Sequence, residues 1–191
     1  MQLLALFVAN AGPHDMPPQN KHVLGVTSLW MLIPVCHSLA NARYVPLGTL
    51  LACVCAVSTS FWSTAELGSL MHKGDKAVSW AFTLAMLWST FWHNRQLLAL
   101  APFIVVFFLL SDAFFRWEWH VMQLLAHLSF RYVFYVWSHL LLVGDARVLA
   151  PVTIGYITHA AVVYFCVDYR HYWASCAGFV VCVTVMQCTS R

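Results

Sequence analysis

The chain has 191 residues, of which 61% are hydrophobic and 9% are charged, and its mean hydropathy is +0.72. Soluble domains are about 45–50% apolar and about 25% charged, so this composition predicts an all-α integral membrane protein. The net charge of +3 comes from Lys and Arg residues that never cluster, which argues against a nucleic-acid partner. Repeats are absent, and we interpret residues 1–191 as a single membrane domain.

The first part of the chain predicts an N-terminal segment followed by spans. Residues 1–21 begin with the apolar stretch Met1–Ala11, which lacks the basic start and cleavage site of a secretory signal and is expected to lie on the membrane or be buried. Two apolar stretches then have the length of a membrane span, His22–Asn41 and Val45–Leu67. Gly68–Lys76 is the most polar stretch of the chain and is predicted to be a loop.

The spans continue after this loop. Ala77–Trp92 forms the next one, and Leu97–Leu110 follows as a further apolar run that closes at Ser111 and Asp112. Residues 22–113 are therefore assigned to transmembrane helices. Together with the last part of the chain, they predict about five to seven hydrophobic helices.

Residues 117–191 predict a long helical hairpin. Trp119–Val143 forms one helix, Gly144–Arg147 forms a tight turn, and Pro151 suits the first turn of the last helix. No proline interrupts the 36 positions from Pro151 to Met186. These positions either form one tilted helix of roughly 54 Å or break near Asp168–His171 into two spans.

Polar residues recur at helical spacing on both arms of this hairpin. Arg131 is the most informative, because it lies in an apolar stretch without a carboxylate and keeps a permanent charge at a cost of about 3 to more than 10 kcal/mol in a bilayer. At about 100° per residue, two polar faces are predicted. The first consists of His120, His127, Arg131, Tyr135 and Ser138, and the second of Tyr164, Asp168, His171 and Ser175.

The cysteines indicate no further chemistry. All seven fall within apolar runs and none has Cys-x-x-Cys spacing, so we interpret them as reduced core residues and not as a disulfide or zinc framework. They are Cys36, Cys53, Cys55, Cys166, Cys176, Cys182 and Cys188. We expect neither a cofactor nor a bound metal.

Two motifs resemble subunit a of the F-type ATP synthase, the membrane stator against which the c-ring turns. Leu128-Ser129-Phe130-Arg131, followed by Ser138-His139-Leu140-Leu141, resembles the arginine motif of the family's penultimate helix. Asp168, Ser175 and Phe179 stand at the spacings of the carboxylate, polar residue and aromatic of its last helix. The chain is similar to a divergent, mitochondrial-like member, and 60 residues follow the arginine, as in that family.

The resemblance implies a function and its residues. Arg131 would separate two aqueous half-channels and force a c-ring carboxylate to ionise, while Asp168, His171 and His139 would relay protons. Secondary positions are Glu118, His120, His127 and Ser175. The implied partners are the c-ring, other membrane subunits, lipids and protons, and the implied location is the mitochondrial inner membrane. The chain would not be catalytic alone.

Other interpretations stay open at this point. In one interpretation, Arg131 pairs with a carboxylate of a neighbouring helix in a purely structural bundle. In another, Asp168–His171 form an ordinary loop between two shorter spans. A further alternative is an accessory membrane subunit of a respiratory or ATP synthase complex. The last is a seven-helix zinc-dependent lipid hydrolase resembling alkaline ceramidases, with His72 and two of His120, His159 and His171 as ligands.

Overall fold

The computed structural model describes residues 16–39, 41–64, 69–147, 149–166, 171, 174–175, 177–179 and 181–182. This part of the chain is all-helical, as the composition predicted. It contains seven α-helices, with further helical residues at 174–175, 177–179 and 181–182. The helices are α1 (Pro18–Ser28), α2 (Leu32–Leu39), α3 (Val45–Thr64), α4 (Leu70–His93), α5 (Ala101–Arg116), α6 (His120–Leu142) and α7 (Leu149–Cys166). The predicted segment Met1–Ala11 lies outside the described residues.

Within these described ranges, three stretches are long and apolar enough to cross a membrane. Pro18–Leu39 joins α1 and α2 through the 3-10 turn Leu29–Met31, Val45–Ser63 lies in α3, and Arg95–Arg116 joins the 3-10 turn Arg95–Leu100 to α5. The first two overlap the predicted spans, and the third extends the predicted apolar run on both sides. Pro18 is the first residue of α1, a position where the missing N–H of proline costs nothing.

The predicted loop Gly68–Lys76 is wrong from Leu70 onward, because α4 already begins there. The Ser69 hydroxyl accepts a hydrogen bond from the His72 backbone N–H at 3.2 Å and caps the helix. Since residues seven and eleven positions apart share one face of a helix, this early start places Asp75 on the same face as the buried Phe82 and Met86. A residue assigned to a loop therefore points into the bundle.

Short connections make neighbouring helices antiparallel, and α5 packs along α6 more extensively than any other pair of described helices. We call the end of the bundle where α1 and α6 begin the His120 end, since the Asn20 amide donates a hydrogen bond to the His120 carbonyl there at 2.8 Å. The end of α3 and the start of α4 also lie at this end, where the Phe61 and His72 rings stack at 4.8 Å. We call the opposite end, where α6 finishes, the His139 end.

The sequence predicts a long hairpin of two helices and leaves open whether Pro151–Met186 is one helix or two. Helix α1 packs against both α6 and α7, whereas α6 and α7 are not among the described pairs that pack closely along their backbones. The hydroxyl of Ser175 lies 3.5 Å from Nε2 of His159, and the Phe179 ring stacks on His159 at 5.8 Å. In one straight helix, residues 159 and 175 would be about 24 Å apart. These contacts therefore exclude a single helix from Pro151 to Met186.

Candidate functional site

Arg131 lies at the midpoint of α6, about 16 Å along the helix axis from either end. Its side chain is only 5% exposed. Nη1 donates hydrogen bonds to the Leu24 carbonyl and, at 3.0 Å, to the Thr27 hydroxyl of α1. The guanidinium carbon also stands 5.6 Å from the centre of the Trp62 ring, a cation–π distance. Nη2 is buried and has no hydrogen-bond partner in the part of the chain that the structure describes.

A cavity of about 170 Å³ adjoins Arg131 between α3, α4, α5 and α6. Its polar lining includes Asp75, Lys76, Ser58 and His127, and the rest of its wall is mostly apolar. Among the described residues, neither Oδ1 of Asp75 nor Nη2 of Arg131 has a hydrogen-bond partner, so these two buried atoms do not bond to each other. The cavity thus brings a fixed cation, a carboxylate and an imidazole together in the interior.

The polar face of α6 continues from Arg131 toward the His120 end. His127 Nδ1 lies 3.1 Å from the Ser111 hydroxyl of α5, and the Gln123 amide nitrogen donates to the same hydroxyl at 3.4 Å. Nδ1 of His120 and Oε1 of Gln123 are buried and have no hydrogen-bond partner within the described ranges. Of the predicted residues, His127 shares the cavity with Arg131, while His120 lies at the end of the same face.

Toward the His139 end the same face is fully bonded. The Tyr135 hydroxyl lies 3.3 Å from Nδ1 of His139, and Nε2 of His139 lies 3.1 Å from the Asp145 carbonyl. A carbonyl only accepts, so Nε2 carries the proton and Nδ1 of the neutral imidazole accepts from tyrosine. His37 joins this group, because its ring stands 6.5 Å from that of His139. Its role was not foreseen, since α2 and α6 are far apart in sequence.

The predicted second polar face does not meet Arg131 among the described residues. Asp168 lies outside them, and His171 is exposed. Ser175 instead contacts His159, whose Nδ1 accepts the Trp30 indole N–H at 2.9 Å. An indole only donates, so Nδ1 of His159 carries no proton, and Nε2–H faces Ser175. His159 therefore does not act as a base toward Ser175.

Glu118 also stands apart from the site. It is an exposed residue in the turn between α5 and α6, with φ of +59° in the left-handed region. The residue that sequence reasoning missed is Asp75. Its signal was Ser69, a preferred helix N-cap, followed by Asp75, Phe82 and Met86 on one helical face.

In the part of the chain that the structure describes, these features define an all-helical bundle with three apolar candidate membrane spans and an ionic cavity at mid-helix depth. The described residues contain no group of three His, Cys, Asp or Glu side chains able to hold a metal ion. No protein-family model, no curated protein and no solved structure matches the chain.

Proposed function

We propose that this chain is a membrane-embedded proton-translocating subunit in which the polar face of α6 carries two proton half-paths that meet at Arg131. The observation that carries the proposal is the polar face of α6, which lies inside the bundle from His120 to His139 with a permanent cation at its midpoint. Packing alone needs no charge at this depth, and ionisable residues inside a membrane are functional by default.

The His120 half of the path would run through the cavity. Asp75 and His127 both line it and both exchange protons, unlike Arg131. At about 30 Å³ of liquid volume per molecule, a cavity of this size accommodates several waters. Nη2 of Arg131 and Oδ1 of Asp75 provide a donor and an acceptor for such waters. Protons would then move between Asp75, His127 and the polar groups near His120.

The His139 half of the path would use side chains. Tyr135 is one helical turn beyond Arg131 and is joined through its hydroxyl to His139, whose other nitrogen reaches the Asp145 turn. An imidazole accepts a proton on one nitrogen and releases one from the other, so this pair supports transfer toward the surface. Arg131 separates the two halves, because its charge repels an excess proton and the guanidinium does not give up its own.

The resemblance to subunit a supports a more specific form of the proposal, a stator subunit with a c-ring and other membrane subunits as partners, in the mitochondrial inner membrane. In that form Arg131 acts on a ring carboxylate. With Arg131 buried between α1, α3 and α6, Asp75 is the carboxylate that shares its cavity. Contact with a ring would require these helices to repack, so that a ring carboxylate reaches Arg131 in place of Asp75.

A zinc-dependent hydrolase is the second candidate, and one observation favours it. Ser69, His72 and Asp75 all lie on or beside the first two turns of α4 at the His120 end, next to a cavity with mostly apolar walls. Purified chain that retains one equivalent of zinc after dialysis, with amide-lipid hydrolysis lost on His72→Ala, would establish this function instead. A purified chain that holds no zinc and hydrolyses no amide lipid would rule out the hydrolase function.

The proton proposal is tested in liposomes that contain the purified chain and a trapped pH dye, under a potassium diffusion potential. Wild-type protein should keep the membrane tight. Arg131→Gln should raise proton leak about tenfold, equivalent to about 1.4 kcal/mol of barrier. The double variant with Asp75→Asn and Arg131→Gln should show the low proton leak of the wild type, because the carboxylate that relays protons is removed. Arg116→Gln is the matched control, because Arg116 pairs with Asp112 at the surface at 2.7 Å.

A folded, monodisperse Arg131→Gln protein that leaves the membrane as tight as wild type would overturn the proposal. Thr27→Val covers the case in which Arg131→Gln does not fold, since it keeps the guanidinium and removes one of its acceptors. It should raise leak by a smaller factor. The stator form has its own readout, since ATP-driven proton pumping in membranes carrying Arg131→Ala should be lost while passive leak increases.

A further inference from the structure

The ionic cavity opens sideways between α4 and α5. These helices are joined by the 3-10 turn Arg95–Leu100, which packs against both, but they are not among the described pairs that pack closely along their lengths. Across the gap, the Trp80 and Phe108 rings approach to 6.2 Å. Trp80 and Val105 both line the cavity, yet they are 40% and 47% exposed on the outer surface. The cavity therefore has an outlet on the apolar side of the bundle.

The lining of the cavity carries a net positive charge, and the inner end has an unused donor. Arg131 and Lys76 contribute two cations, and Asp75 contributes one carboxylate. Nη2 of Arg131 is buried and has no hydrogen-bond partner among the described residues, although a buried donor left without a hydrogen bond costs about 1–3 kcal/mol. An acceptor that carries negative charge would satisfy the donor and balance the excess cation.

We propose that the cavity binds a membrane amphiphile with an oxyanion head group, either a fatty-acid carboxylate or a lipid phosphate. The head group accepts from Nη2 of Arg131, a charge-assisted bond made stronger by the apolar surroundings. The acyl chain leaves along the mostly apolar wall between Trp80 and Val105, where it meets lipid. Both ends of the amphiphile thus meet matching chemistry. The experiment measures the occupancy of this site and not a proton flux, so it tests the site independently of the proposed proton transfer.

The test is photolabelling of the full-length chain in lipid nanodiscs. The probes are a fatty acid with a mid-chain diazirine, phosphatidic acid and phosphatidylcholine bearing the same chain, and the fatty alcohol of equal length. We expect the fatty acid or phosphatidic acid to label residues of α4 and α5 near Trp80 and Phe108. Arg131→Gln should lower this labelling about tenfold, the effect of losing one charged hydrogen bond. Arg116→Gln should leave it unchanged.

A pair of adjacent substitutions keeps the test decisive if Arg131→Gln does not fold. Thr83 lines the cavity, whereas Leu84 next to it is 62% exposed on the outer face of α4. Thr83→Trp should fill the cavity and abolish labelling, and Leu84→Trp should preserve it.

The outcomes separate the two sources of the oxyanion. Labelling by the fatty acid alone assigns a carboxylate ligand, and labelling by phosphatidic acid alone assigns a phosphate ligand, so either result supports the site. Equal labelling by the alcohol or by phosphatidylcholine would show general lipid contact and overturn the proposal. Unchanged labelling of folded Thr83→Trp protein would overturn it as well.

Discussion

The two ends of the bundle differ in how completely their buried polar groups are bonded. Toward the His139 end, the Trp137 indole donates to Thr90 at 3.0 Å, the Ser138 hydroxyl to the Phe134 carbonyl at 2.8 Å, and Tyr135 pairs with His139. Toward the His120 end, several buried side-chain atoms have no hydrogen-bond partner in the described structure. They belong to Thr59, Trp62, Asp75, His120, Gln123 and Arg131.

This difference separates a region whose buried polar groups are bonded to one another from a region that has open donors and acceptors. Buried polar groups are almost always bonded in folded proteins, and exceptions mark places for water, ions or ligands. The His139 end uses its polar groups to fix the relative positions of α2, α4 and α6. The His120 end keeps donors and acceptors available around the cavity. The amphiphile site and the cavity half of the proton path rest on this second region, whereas the other half of the path uses the bonded pair Tyr135 and His139.

The largest expected effect on stability tests whether the His139 end is also the more tightly packed. A Cβ at Gly48 would lie 1.8 Å from the Ser38 hydroxyl, whereas a Cβ at Gly74 meets nothing within 4 Å. Gly48→Ala should therefore lower the free energy of unfolding by about 1–3 kcal/mol through overpacking. Gly74→Ala should raise it by up to about 1 kcal/mol, because alanine favours a helix.

Denaturant unfolding in detergent micelles measures both variants against the wild type. The comparison between the two ends predicts opposite signs for the two glycines. A Gly48→Ala protein as stable as wild type would mean that α2 and α3 separate easily, and the His139 end would then not be the rigid one.

A smaller effect is expected from polar substitutions on α6 itself. Tyr135→Phe leaves Nδ1 of His139 buried without a donor and should cost about 1–2 kcal/mol. Gln123→Leu removes an acceptor that has no partner and a bond of 3.4 Å, so its effect should stay within about 0.5 kcal/mol. Thermal unfolding of the two variants in the same detergent gives the comparison. Equal losses would erase the distinction between the bonded and the unbonded half of α6.

Local sequence patterns were sufficient for α6 but not for the site around it. The predicted helix Trp119–Val143 is confirmed as His120–Leu142, because one apolar stretch between an aromatic cluster and a glycine turn defines both ends. Its polar face was also predictable, since Arg131, Tyr135 and Ser138 recur at helical spacing and all three are buried. Helical periodicity tells which residues share a face, and here it did.

Periodicity does not tell what that face meets. Arg131 bonds to Leu24 and Thr27, which precede it by 107 and 104 residues, and no local pattern encodes these contacts. Asp75 was missed because Gly68–Lys76 is polar, although the Ser69 cap starts a helix inside that stretch. The contacts of Ser175 and Phe179 with His159 were not predicted, because the sequence did not decide between one helix and two spans. An apolar run without proline has the same composition as one tilted helix or as two spans.

The smallest expected effect lies outside the spans, in the turn that receives the His139 hydrogen bond. Arg147 donates to Asp145 through Nε and Nη2, at 3.0 and 2.8 Å, and this pairing lowers the pKa of Asp145 from 3.8 to about 2. A carboxyl whose pKa is depressed on folding stabilises the folded state above its unfolded pKa and loses that contribution as the pH falls toward the folded value. Thermal midpoints of the wild type should therefore decline between about pH 4 and pH 2 more steeply than those of Arg147→Gln. The difference should be small and should shrink in high salt, because Arg147 is exposed and its charge is screened. Parallel pH profiles for the two proteins would show that the Arg147 pairing does not stabilise the turn. The His139 bond to the Asp145 carbonyl alone would then hold the turn, and the bonded region of the His139 end would extend to the surface.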